Sequence, residues 1–212
     1  MGYVGQRVGG AGMRADARRN RDRLLAAATE LILEIGGEPT LDAVARRAGV
    51  GVGTLYRHFP DRDHLLDAVA RHALEGSIEA AETALAEAAD GFDALRRYMH
   101  AAVDRGVGVL NLIRPLLDDP DWTAERARVT ALLGTIVQRA TWEGGVHDQT
   151  RASDIVFAVI RFSRPVDLGL PRPDERAIAH RHLAIYIAGL GQGDAVQPRL
   201  PEPSALERFD TR

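Results

Sequence analysis

TLDAVARRAGVGVGTLYRHF, residues 40–59, is the stretch whose reading decides the fold. Leu41, Val44, Ala45 and Ala48 recur at i, i+3, i+4 and i+7, the spacing that gathers apolar side chains on one face of an α-helix. Thr40 stands where an N-cap belongs, its hydroxyl placed to accept from a backbone N–H that the first turn leaves unpaired. Pro39 ahead of it favours an extended entry. Gly49 is expected to end the helix in a left-handed conformation, after which Val50 resumes the buried face. A second short helix is expected at about 52–58, with Leu55 and Phe59 as its apolar side. A steep crossing of two short helices tolerates no bulky side chain at the contact, and its turn needs positive φ. Ala45 and Gly49 meet both needs, so the stretch predicts a helix-turn-helix.

The outer side of the second helix carries Thr54, Tyr56, Arg57 and His58, all able to donate to phosphate oxygens, and Arg62 follows just after Pro60. That set suits a helix lying in a major groove between backbone contacts. The plainer reading is an αα-hairpin with a polar outer face.

Gly53-Thr54-Leu55-Tyr56-Arg57-His58-Phe59, followed by Arg62 and the Leu65-Leu66 pair, resembles the DNA-binding segment of the TetR family of bacterial transcriptional regulators. The resemblance implies that Thr40, Thr54, Tyr56, His58 and Arg62 hold phosphates while Val52, Gly53 and Arg57 lie nearest the bases. Arg62 stands where the family commonly has lysine, keeping the charge. Gly51-Val52-Gly53 offers little hydrogen bonding to base edges. The resemblance covers residues 17–77 in sequence and the remainder in architecture. It implies an all-α fold: an N-terminal three-helix helix-turn-helix DNA-binding domain at 17–77, then a larger helical effector-binding and dimerisation domain at 78–192. Residues 1–16 are expected to be a flexible leader and 193–212 a flexible tail.

The 212 residues, 45% of them hydrophobic, suffice for one large or two small cores. Abundant alanine with only 5% aromatics favours helices over a β-sandwich. No run approaches the length of a membrane span and the N-terminus lacks the apolar core of a secretion signal. Zero cysteines exclude a disulfide framework and thiolate metal sites, so a cytoplasmic location is expected. The formal charge of −3 is unevenly placed. Residues 1–62 hold 10 arginines against 7 acids, net +3, and residues 63–212 hold 17 against 23, net −6. A basic end on an acidic body is what phosphate binding by that end requires.

Along the chain, Arg14, Arg18, Arg19, Arg21 and Arg23 crowd the approach to the first helix, either as a solvated face or as reach toward phosphate or minor groove. Leu24, Ala28, Leu31, Ile32 and Ile35 then repeat at helical spacing as far as Gly36-Gly37. Asp61 or Asp63 is expected to cap a long helix whose apolar face runs through Leu66, Val69, Ala73, Ile78, Ala81 and Leu85. Its length, about 40 Å at ~1.5 Å per residue, would couple the head to whatever lies beyond. Further helices are expected near 92–105, 107–117, 123–143, 152–168 and 174–190. The last two expose Ile155, Ala158, Val159 and Phe162 on one and Ile178, Leu183, Tyr186, Ile187 and Leu190 on the other. The resemblance places a four-helix homodimer interface there, with Ile155, Val159, Ile178, Leu183, Tyr186, Ile187 and Leu190 as its apolar residues. The alternative is that they form intramolecular core.

Seven histidines include no pair three or four apart, and His180 and His182 point to different sides of a helix, so no metal site is expected. Phosphate loops, nucleophile elbows and zinc-protease patterns are missing, and neither catalysis nor a cofactor is expected. The resemblance places a small-molecule effector pocket in the carboxy-terminal body. Met99, Val103, Leu116, Trp142, Phe157 and Phe162 are apolar residues able to line it, with His100, Arg114 or Arg161 for polar contacts. The resulting reading is a ligand-responsive regulator, a repressor of a palindromic double-stranded operator, acting as a homodimer. Its rivals are a helical ligand-binding or scaffold protein whose head is not used on DNA, and an all-helical enzyme.

Overall fold

Helices make up every regular element of the computed structural model among the described residues, which are 9–117, 121–166 and 171–191. In chain order they are α1 (Gly9–Ile35), α2 (Leu41–Ala48), α3 (Val52–His58), α4 (Arg62–Glu87), α5 (Gly91–Asp104), α6 (Leu110–Ile113), α7 (Thr123–Trp142), α8 (Ala152–Ser163) and α9 (Arg172–Leu190). Among these residues no helix is long and apolar enough to cross a membrane. Residues 9–16 of the expected leader are helical. They form the first turns of α1, and no proline interrupts them. The expected tail at 193–212 and residues 1–8 lie outside the described residues.

Glycine and proline break two of the expected helices. Residues 107–117 form a 3₁₀ turn (Val107–Val109), the single turn α6, and a second 3₁₀ turn (Arg114–Leu116) instead of one rod. Gly106 is left-handed at φ 66°, Gly108 presses on Ser163 and the backbone of Ile160, and Pro115 removes a donor. α8 stops at Ser163 because Arg164 precedes Pro165 and is driven to the extended region, φ −84° and ψ 123°.

Two cores share α4. The first gathers α1, α2, α3 and α4 as far as Leu74, and Val109, Ile113 and Trp122 from the body complete it. The second takes α4 from Ala80 onward with α5, α7, α8 and α9. α4 reaches this core through small side chains, with Ser77, Ala80, Ala81 and Ala84 buried, while Ile78 and Leu85, expected on its apolar face, are only half-buried. Ile35, expected to face the core, is exposed at 60% where α1 ends. A thin helix face lets α5 and α7 approach closely, and the buried Ser77 hydroxyl is satisfied by the Tyr98 hydroxyl at 3.0 Å.

The middle of α4 is clasped to the body. Trp122 Nε1 donates to Asp67 at 2.8 Å, and Arg71 donates to Asp67 at 3.0 Å, to Glu125 at 2.7 Å and to the Asp121 carbonyl at 3.1 Å. At the far end Gly91 opens α5 against the last turns of α7. Its N–H donates to Glu143, and a Cβ there would overlap the backbone of Arg139 and Ala140. Gly91→Ala must therefore push α5 off α7. The expected cost is about 2 kcal/mol or more, read as a lower urea midpoint at unchanged slope.

Candidate nucleic-acid interface

The amino-terminal head is assembled from short-range devices. The Thr40 side chain accepts from the Ala43 N–H at 3.2 Å and starts α2. Gly49 ends it at φ 65°, its N–H directed at the Ala45 and Arg46 carbonyls. Val44 and Ala45 are fully buried where α2 crosses its neighbours, so the small-residue crossing expected from Ala45 and Gly49 is present. Arg23 reaches over from α1 to donate to the Ala48 carbonyl and, at 3.2 Å, to the Gly49 carbonyl, closing the end of α2. Arg47 forks onto Glu34 at 2.7 and 3.0 Å, which holds the Glu34 carboxyl below its usual range. Asp61 is the cap of α4, accepting from the His64 N–H at 2.9 Å.

α3 turns Leu55 inward, with Phe59 following as its buried cap, and leaves its other side open. Tyr56 is 50% exposed and Val52 38%, Gly53 and Arg57 are exposed, and Thr54 and His58 are half-buried on the same surface. Arg57 donates to Thr54 Oγ1 at 2.8 Å, lying back along its own helix. Thr40 is exposed at the start of α2. The eight residues expected at the DNA surface thus share one end of the molecule, but Arg62 is engaged by Glu38, by Asp63 at 3.1 Å and by the Leu116 carbonyl at 3.3 Å. The arginines of α1 divide in role. Arg19 pairs with Asp16, Arg21 lies 5.5 Å over the Phe59 ring, and Arg23 is the α2 closure.

The expected dimer residues also divide. Ile155, Val159, Leu183 and Ile187 are buried in the subunit's own second core, so they have no surface to offer a partner. Ile178 is exposed, Tyr186 and Leu190 are half-buried, and Ile185, not among the expected residues, is exposed on α9.

A cavity of about 1250 Å³ lies between α1, α4, the end of α5, the end of α8 and the start of α9. Of the expected pocket residues, Val103, Arg161 and Phe162 line it. The others lie elsewhere: Met99 is sealed in the core, Leu116 packs against the head core, Trp142 is 89% exposed at the end of α7, and Phe157 and Arg114 lie outside the lining. His100 instead stacks on His180, rings 4.9 Å apart, with the two Nδ1 atoms 2.6 Å apart. His180 Nε2 continues the chain to Asp104 at 2.8 Å. Eighty residues separate the two histidines, so no local spacing announces this contact. Among the described residues no His, Cys, Asp and Glu cluster could hold a metal ion.

A family model described as bacterial regulatory proteins, tetR family, matches residues 24–69. Curated HTH-type transcriptional regulators of Staphylococcus aureus are 44% identical over 54 residues, 25% of this chain. The match spans only 29% of those relatives' length. Among solved structures, a TetR transcriptional regulator from Streptomyces coelicolor is 31% identical, with 81% of this chain and 98% of that one covered at a TM-score of 0.55. A TetR transcription regulatory protein from Mycobacterium vanbaalenii is 29% identical over 85% and 99% of the two chains, TM-score 0.56. A ketosteroid transcriptional regulator of Mycobacterium tuberculosis, 19% identical over 82% and 95%, shares the fold at a TM-score of 0.59.

Burial first, then the neighbouring His180 and Arg96, push the His100 imidazole below its ordinary 6.5, with Asp104 opposing. A lowered folded value means that the neutral ring is favoured. The stability it gives is whole above pH 6.5 and drains as the pH falls through the folded value. His64, raised by Asp61, acts with the opposite sign but is fully exposed. His100→Gln is expected to flatten the loss of stability on acidification below pH 6.5, as measured by urea unfolding across a pH series.

Proposed function

This chain belongs to the TetR family of bacterial regulatory proteins, and we propose that it is a DNA-binding transcriptional regulator that works in the cytoplasm as a homodimeric, ligand-responsive repressor of a near-palindromic operator. The observation that carries the proposal is the open face of α3, where Tyr56, Arg57, Thr54 and His58 present donors on one side of a helix whose other side is locked into the head core. The Tyr56 hydroxyl has no partner among the described residues, as a phosphate donor requires.

In this reading Thr40, Thr54, Tyr56 and His58 grip phosphates, while Val52, Gly53 and Arg57 approach the bases. Arg62 joins them only by leaving Glu38 and Asp63. Arg57 must likewise swing off Thr54, which places those exchanges on the binding pathway. Two heads about 34 Å apart meet successive major grooves on one side of the duplex, so two chains are needed for a firm grip. The outer side of α9, with Ile178, Ile185, Tyr186 and Leu190, supports pairing of the two subunits there. An effector in the cavity touches α1, α4 and α9 at once. If it favours one spacing of the heads, it lowers the population that fits the operator.

The test is binding of labelled duplex from the chain's own upstream region across a salt series, in which the affinity of a phosphate-gripping dimer falls steeply. A flat, negligible response would remove the proposal. Tyr56→Phe and His58→Ala are expected to weaken operator and unrelated DNA alike, by roughly 1 kcal/mol each. Val52 substitutions are expected to change which sequences are selected from a random pool, with little effect on unrelated DNA.

A further inference from the structure

The cavity between head and body has two walls of opposite charge. The end of α8 and the start of α9 supply Arg161, Arg164, Arg172 and Arg176 with one acid, Glu175, among them, while α1, α4 and the end of α5 supply Glu30, Glu75, Glu79 and Asp104 against Arg105. Three of these acids already have partners: Glu30 receives Arg47 at 3.4 Å, Glu79 receives Arg105 at 3.3 Å and Asp104 receives His180 at 2.8 Å. The basic wall is less satisfied, because Arg161, Arg164 and Arg176 make no ion pair or hydrogen bond among the described residues. Guanidinium groups keep their charge at any working pH, so an unpaired group of them along one wall is a standing demand for an anion. Between the walls the lining is apolar, through Leu33, Val103, Phe162 and Ile178.

We infer that the effector is an organic anion, an apolar body ending in a carboxylate or phosphate, held by the arginines at the α8–α9 end of the cavity. This rests on the regulator reading above and deepens it. The same wall also carries the route to the head. Arg172 pairs with Glu34 of α1, and Glu34 is the residue that Arg47 of α2 forks onto. Glu34 therefore holds one cation from the body and one from the helix-turn-helix. A ligand oxyanion on Arg172 competes with Glu34 for it and releases the start of α9 from α1. No side chain of the ligand site need touch DNA for the head to feel it.

The test is calorimetric titration of the full chain with decanoate, decyl phosphate, decylammonium and decanol, followed by operator binding with and without decanoate. The two anions are expected to bind, with the cation and the alcohol weaker by roughly ten-fold or more, the scale of one lost charge-assisted hydrogen bond. Arg161→Ala/Arg164→Ala is expected to lose at least that factor for the anions at an unchanged unfolding midpoint. Decanol binding as well as decanoate, or a double variant that binds the anions as before, overturns the inference. Arg172→Ala is expected to keep decanoate binding within a few-fold while decanoate no longer lowers operator affinity. An undiminished response there overturns the Glu34 route. Operator binding with no uptake of either anion sinks the inference and leaves the regulator reading standing. Failure to bind any duplex at low salt sinks that reading, and the inference with it.

Discussion

α4 is the constraint on which the rest of the structure depends. Its first turns, from Leu65 to Leu74, are buried in the head core, and its later ones, from Ala80 to Ala84, in the body core. A helix resists bending wherever nothing interrupts its hydrogen-bond ladder, and no proline lies within α4. The Arg71, Asp67, Glu125 and Trp122 cluster fastens its middle to the start of α7. Head and body are thus not two beads on a string. Val109, Ile113 and Trp122 are body residues inside the head core, and displacing one part strains the other.

Arginine carries much of the fine positioning. Arg23 closes α2, Arg47 and Arg172 converge on Glu34, Arg71 clasps α4, and Arg97 and Arg96 hold Asp93 at the start of α5, where they keep its carboxyl at about 2. Most of these pairs are partly exposed, and pairs of that kind contribute little to overall stability. Their value lies in geometry, since a planar fork fixes the direction of approach between two helices. A sequence without lysine suits such a design.

Legibility in the sequence follows the range of the interaction. The helix-turn-helix is written locally: a threonine cap, a glycine with positive φ four residues after a small crossing residue, and a single buried leucine on α3. All of these sit within twenty residues, and Thr40, Ala45, Gly49 and Leu55 do in the structure what their spacing predicts. The body was legible as helices but not as surfaces. Periodicity identified Ile155, Val159, Leu183 and Ile187 as an apolar face without saying whether another subunit or the same chain covers it, and the same chain does. The cavity was the least legible part. Its walls come from five helices far apart in sequence, so apolar residues such as Met99 and Trp142 carried no mark separating core, lining and surface. The His100–His180 contact depends likewise on distant neighbours.

The two tryptophans sit in opposite surroundings: Trp122 is 3% exposed at the seam of head and body with its indole N–H on Asp67, and Trp142 stands 89% open to water at the end of α7. The native protein accordingly carries two optical reporters of different colour. The indole at the seam emits toward the blue and is shielded from iodide, while the outer one emits toward the red and is quenched by it. Any rearrangement that opens the joint between reading head and sensing body is then visible as a change in the shielded fraction alone, with no label attached to the molecule.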